Sequence, residues 1–441
     1  MKKIVLSLFV FVISANIVAA DHVMAATKRA PEKEVPATLN LSLQEAQDYA
    51  VAENRSLRNA DLAVQKAYAT RWQTIASMLP SVDMSWAYQS MMGYKMNFGG
   101  MDIEMPDNGT FGITASVGIN GQAIVGALLN NTAIEMQKLN LEISEDNLRA
   151  NVKSSYASVL VLEDVVKLLD NSLKNIEHLA AMTQRSVEVG AAEQTTADQI
   201  LVRVNTLKNN INANKRSTQL ALNALKVLLN VPAETELTLT TQLTDMLSAE
   251  AILTLLGQDF VLENNLSYQT LAKNVELAKR NVHMAGWAYG PTIGVGYQYS
   301  EKDYFGKKEG FNMTPPNALS IQVSMPLWSS GKRAAGVVEK KIALEEARNT
   351  FEETSDNLGI QNEQLRYNLQ NAFETYTNEQ ENMSVTQRVF DNTSLKFQQG
   401  VASNLDLVNA SNDLITAQST YVQAVLTLVN AEVELEKFLN L

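Results

Sequence analysis

The sequence predicts a mixed α and β membrane protein in which four β-strands per chain contribute to a shared barrel and very long helices continue from it. Three observations carry that prediction. Four segments alternate apolar and polar residues, two proline-free stretches keep a heptad pattern, and the same order of elements occurs twice. With 441 residues, 46% of them hydrophobic and 19% charged, the chain is too apolar for wholesale disorder and long enough for two or three ordinary domains.

Residues 1–26 read as a signal peptide: Lys2 and Lys3, an apolar run from Ile4 to Val18, then small residues that allow cleavage after Ala20 or Ala26. Residues 27–42, with Pro31, Pro36 and mixed charges, read as an N-terminal linker. The chain has no cysteine, which excludes disulfides, thiolate chemistry and an acylated lipobox. Beyond the leader no window reaches the ~18 consecutive apolar residues of a membrane-spanning helix. A net charge of −12 disfavours nucleic acid and anionic lipid surfaces.

A helical pattern over 43–78 ends at Pro80. The period then changes to two. Val82, Met84, Trp86 and Tyr88 alternate with polar or small neighbours in a strand over 81–90, and Phe111, Ile113, Ala115, Val117 and Ile119 do the same over 111–120. Ile293, Val295, Tyr297 and Tyr299 mark a third strand at 292–300, and Leu319, Ile321, Val323 and Met325 a fourth at 318–326. Strands of this length suit an outer-membrane barrel, apolar outward and polar toward a lumen. A soluble sandwich would give similar alternation, so the helices decide between them.

Residues 127–189 form one long predicted helix of roughly 95 Å at about 1.5 Å per residue, more than a compact domain needs. Ile134, Leu141, Leu148, Leu162, Leu169 and Ile176 keep a seven-residue beat along it. The stretch 332–397 repeats the feature with Val337, Leu344, Phe351, Leu358 and Leu365, then Leu369, Tyr376, Met383, Phe390 and Phe397. Each long helix ends at a glycine, Gly190 or Gly400, and a shorter helix follows, over 195–229 or 404–439. Residues 231–251, with Pro232 and a Thr-rich run, form a connector between two repeats, 43–230 and 252–441.

A shift of 211 positions superposes Asn54 on Asn265, Val64 on Val275, Ala67 on Ala278, Pro80 on Pro291 and Tyr88 on Tyr299, and with the repeated order this reads as a tandem internal duplication. Four strands cannot close a transmembrane barrel. Eight strands from a dimer would leave little lumen, whereas twelve from a trimer leave a pore.

In this setting the chain resembles the TolC-like outer-membrane efflux proteins over essentially the whole mature sequence. Val323-Ser324-Met325-Pro326-Leu327-Trp328-Ser329-Ser330-Gly331-Lys332-Arg333 looks like that family's strand, proline and glycine segment before the second long helix. Gly400 through Ala410 is similar to its glycine turn followed by gate aspartates, with Asp406 at the first position and Asn409 in place of the second. The first turn carries two more residues between Gly190 and Asp198. The resemblance implies a homotrimer with a 12-stranded outer-membrane β-barrel in contact with outer-membrane lipid, continuing into a periplasmic α-helical coiled-coil barrel. It also implies a periplasmic adaptor (membrane fusion) protein and an inner-membrane pump as partners, and no cofactor. Asp406 and Asn409 would form a periplasmic gate, and Val189, Gly190, Ala191, Gln399, Gly400, Val401 and Ser403 would be adaptor-docking tips. The implied function is the exit duct of a tripartite efflux pump, with the outer-membrane component of type I protein secretion as the alternative.

Other chemistry is poorly supported. His22, His178 and His283 have no partner at ligand spacing, and Glu345-Glu346 and Glu352-Glu353 lie on long helices among basic residues. Gly99-Gly100 lacks the rest of a phosphate-binding motif. Met91, Met92, Met96, Met101 and Met105 crowd the loop at 90–110, where loop packing competes with thioether coordination of a soft metal. Threefold symmetry would bring three Asp406 carboxylates together and raise their pKa values, while a helix N-cap is the plainer role for that residue. A surface adhesin with a trimeric anchor would cluster its strands at one terminus, whereas these are interleaved with the helices.

Overall fold

The computed structural model describes residues 37–190, 192–305 and 315–441. The leader and Ala191 fall outside them. The chain divides into two compact units, which within the described residues comprise 62–138 with 270–352, and 37–61 with 139–269 and 353–441.

The first unit is organised by a four-stranded antiparallel sheet of β2 (Ser81–Gln89), β5 (Asn108–Asn120), β7 (Thr292–Tyr304) and β8 (Asn317–Ser324), paired in the order β2-β5-β7-β8. Its register collects the alternating residues of all four strands. Val82, Ala115, Tyr297 and Leu319 form one cross-strand row; Val117, Val295 and Ile321 form another, and Ile119, Ile293 and Val323 a third. Because opposite residues share a face, these rows make one continuous apolar surface. The other face is small and polar: Ser81, Ser116, Gly296 and Ser320 make one of its rows. A Cβ added to Gly112 would stand 2.9 Å from Ser85 Oγ, so glycine permits the close approach on that side.

Two strands run past the expected ends, because ladder pairing continues through Asn108–Thr110 and Glu301–Tyr304 after the apolar alternation stops. The expected loop at 90–110 contains a further hairpin, β3 (Lys95–Phe98) with β4 (Met101–Glu104), turning at Gly99 and Gly100, both at positive φ.

The long helix α3 spans Gly121–Glu188, 68 residues, and begins six positions before the expected start at 127. Asn120 explains it, since its side chain accepts a hydrogen bond from Ala123 N–H at 2.8 Å and caps the new helix. Gly121 lies under Trp287, whose ring would be 2.1 Å from an added Cβ, so no larger residue fits there. Its counterpart α8, Lys332–Gln398, has 67 residues.

The second unit holds the helical cores. The predicted helix at 43–78 is two helices, α1 (Leu43–Glu53) and α2 (Arg55–Ala76), divided at Asn54. Asn54 Oδ1 accepts from the Ser56 and Leu57 N–H groups while its amide donates to Leu228 C=O, at the end of α4 (Gln194–Leu228). Asn265 does the same before α7 (Leu266–Gly286), accepting from Ser267 and Tyr268 and donating to Phe438 C=O in α9 (Asn404–Leu439). The two asparagines aligned by the 211-residue shift thus each cap one helix and hold the end of another.

The end of the expected linker at 27–42 is part of the fold. Thr38–Leu41 forms β1, parallel to β6 (Glu236–Leu239) in the connector. Tyr156, fully buried, locks this pair by donating to Leu41 C=O and accepting from Thr241 N–H. The connector also holds α5 (Leu243–Met246) and α6 (Ala249–Leu256), the latter crossing the expected repeat boundary at 252 because Ser248 caps it. Arg366 donates to the carbonyls of Leu256 and Gln258 and fixes the far end of α6.

Candidate functional site at the helix turns

The turns joining α3 to α4 and α8 to α9 both close on a glycine in the left-handed region, Gly190 at φ +75° and Gly400 at φ +72°. That conformation lets the chain reverse and satisfies the last carbonyls of the long helices: Gly190 N–H donates to Val187 C=O at 2.9 Å, and Val401 N–H to Lys396 C=O at 2.8 Å. The residues around them face solvent. Val189 and Val401 are 79% and 74% exposed, and Gln399 and Ser403 are exposed as well. Beneath the turns Ile176, Leu179, Ile200, Phe390, Leu407, Ala410 and other apolar residues form one buried cluster.

Asp406 and Asn409 are both exposed and three residues apart on α9, with buried Leu407 and Ala410 interleaved. The cap of α9 is Ser403 rather than Asp406. Ser403 Oγ accepts from Asp406 N–H at 3.2 Å, while the Asp406 carboxylate accepts from Ser403 N–H at 2.9 Å and from its hydroxyl at 2.7 Å. This reciprocal capping box places Asp406 at the third helical position. The Ser403 hydroxyl, and then its backbone N–H, hold the Asp406 carboxyl below the ordinary carboxylate range. The upward push expected from threefold symmetry would require neighbouring copies and acts against this local one.

One buried charged cluster escaped the sequence reading. Lys153 on α3 donates to Glu432 at 2.8 Å and to Glu436 at 2.7 Å, both on α9. Burial alone would lower the Lys153 ammonium, but the two carboxylates outweigh it and raise its pKa. Burial raises Glu432 too, and its Oε2 has no hydrogen-bond partner. Glu432 and Glu436, four apart and so on one face of α9 between buried Val429, Val433 and Leu435, were the available signal. Among the described residues no group of three or more His, Cys, Asp or Glu is placed to hold a metal ion.

The sequence profile of a family described as "Outer membrane efflux protein" matches residues 47–231 and 259–441. The outer membrane efflux protein BepC of Brucella suis biovar 1 (strain 1330) is 23% identical over 301 residues, 66% of this chain and 63% of that protein, so the match spans under two thirds of the relative's length. Among solved structures, CusC has a TM-score of 0.74 at 16% identity, covering 94% of this chain and 95% of that one. The outer membrane protein VceC of Vibrio cholerae has a TM-score of 0.71 at 13% identity, covering 90% of this chain and 95% of that one. At those identities the likeness speaks for the fold.

Proposed function

Because this chain belongs to the outer membrane efflux protein family, we propose that it is the exit duct of a tripartite efflux pump: a homotrimeric, passive channel supplied by an inner-membrane pump through a periplasmic adaptor. The observation that carries this reading is the sheet of the first unit. Its apolar rows face outward uncovered, with Met84, Trp86, Leu319, Ile321 and Val323 each more than 60% exposed. Its edge strands β2 and β8 each have a partner on one side only among the described residues.

A sheet that greasy on one face belongs in lipid, and an open edge in lipid leaves backbone groups unsatisfied at several kcal/mol each. Pairing β2 of one copy with β8 of the next removes every edge. Three copies supply twelve strands, enough for a lumen lined by the serine and glycine face. The second long helix fits the same assembly. Leu344, Phe351, Leu365, Tyr376 and Met383 of its heptad row are only half-buried within one chain, and neighbouring copies would cover them. The matching roles of Asn54 and Asn265 support descent of the two halves from one duplicated unit.

On this reading Asp406 and Asn409 line the periplasmic gate, and the exposed residues beside Gly190 and Gly400 dock the adaptor. The mass of the detergent-solubilised protein tests the assembly, three chains being expected; a monomer that conducts ions would sink the shared barrel. In planar bilayers Asp406→Ala should raise conductance of the closed channel and weaken block by divalent cations. An unchanged record removes Asp406 from the gate.

A further inference from the structure

Five of the 16 methionines, Met91, Met92, Met96, Met101 and Met105, fall in the single connection between β2 and β5. Loop packing does not account for Met92, Met101 and Met96, which are 94%, 71% and 40% exposed, whereas Met91 and Met105 are half-buried. Apolar side chains left in water contribute nothing through burial.

The hairpin register sorts them. β3 and β4 pair Met96 with Ile103 and Phe98 with Met101. The ladder runs one step further, because Met105 N–H donates to Tyr94 C=O at 2.9 Å. Residues that stand opposite, or alternate along a strand, share a face. Met96, Met101 and Met105 therefore occupy one face; Met96 is the diagonal neighbour of both others, which lie four residues apart along one strand, about 13 Å, too far to share an ion. Diagonal neighbours lie about 7–8 Å apart, within reach of long side chains. The opposite face carries Lys95, Asn97, Asp102 and Glu104, with Asn97 donating to Asp102 at 2.7 Å. Sulfur and charge are thus separated on a strand pair only four residues long.

We propose that this face binds a soft monovalent cation, Cu(I) or Ag(I), in two-coordinate fashion between the thioethers of Met96 and Met101, the exposed diagonal pair. Thioether sulfur is uncharged and polarizable, so it favours soft ions, whereas magnesium and calcium take oxygen ligands. Asp102, Glu104 and nearby Asp107 outnumber Lys95 and give the hairpin a negative excess that attracts cations. Met92 lies off the ladder, in the turn at φ +49° before it, and has no part in the site. Both ligands come from one chain, so the site stands whether or not the duct reading does.

Titration calorimetry with silver nitrate in chloride-free buffer, on the purified protein in detergent, tests the proposal. One ion per chain is expected. Met96→Leu keeps the size and apolarity of the side chain and removes its sulfur; it should weaken binding by about tenfold or more, roughly 1.4 kcal/mol. The double Leu variant at 96 and 101 should abolish binding, and Met92→Leu should leave it intact. X-ray absorption at the silver edge should show a sulfur shell. No uptake by the native protein, uptake that survives the double substitution, equal weakening by Met92→Leu, or a shell of oxygen and nitrogen alone would each overturn the site.

Discussion

The two turns at the ends of the long helices are built alike and finished differently. Each reverses on a glycine at nearly the same positive φ, and each returns N–H groups to the last carbonyls of the helix it closes. The helix that leaves the second turn starts with a capping box, Ser403 with Asp406. The helix that leaves the first has Glu193 at its N-cap and no side-chain cap bond there. Backbone reversal is thus common to both halves, while electrostatic definition of the outgoing helix belongs to the second alone. If one turn senses charge or pH, it is the second.

The largest effect should be equal at the two turns. An added Cβ at Gly190 or Gly400 meets nothing within 4 Å, so Gly190→Ala and Gly400→Ala isolate the backbone term. Each should destabilise its turn by about 1–2 kcal/mol, the cost of left-handed backbone for a residue with a Cβ. Local opening free energies from amide hydrogen exchange measure both. A difference well above 1 kcal/mol would mean that the reversals are not alike.

Next comes the cap, where the turns should part. Ser403→Ala removes the side-chain acceptor and should cost about 1 kcal/mol in local opening of α9. Glu193→Ser should stabilise the start of α4 by several tenths of a kcal/mol, since it supplies the missing acceptor. A neutral result at 193 would show that the first turn holds its helix by packing alone.

The glycine turns and the cap differ in how far they were legible from sequence. A glycine after a long heptad run signals its own conformation, because few other residues adopt positive φ. Ser403-Asn404-Leu405-Asp406 also carries the local spacing of a capping box, but Asp406 is itself a good capping residue, and the sequence alone does not say which of the two precedes the first helical turn. The four sheet strands were legible from alternation, and their ends were not, since Glu301, Lys302 and Asp303 continue the ladder with no apolar signal. The hairpin at Lys95–Glu104 did carry one, a Gly-Gly pair between two short alternating runs, obscured by its methionines. Nothing local announces β1 with β6: the two lie nearly 200 residues apart, and only the fold brings Thr38–Leu41 to Glu236–Leu239. Asn54 and Asn265 aligned under the repeat shift, yet their reach to Leu228 and Phe438 depends on tertiary structure.

The smallest effect, and the sharpest test of the difference, is the response to acid. The Asp406 pKa is lowered in the folded chain, so its contribution is present above the unfolded value near 3.9 and is lost as pH falls through the folded value. The N–H groups in the first turn of α9 should therefore exchange faster as pH drops below about 4, after correction for intrinsic rates, while those of α4 stay unchanged relative to their neighbours. Asp406→Asn should flatten the response at the second turn and leave the first as it was. In the proposed trimer the carboxylates of three copies would repel one another and shift the transition upward in pH, against the pull of Ser403. The midpoint measured in the assembled protein, set beside that of dissociated chains, would therefore report how closely the Asp406 carboxylates approach: an upward displacement indicates a closed ring, and coincident midpoints indicate tips held apart.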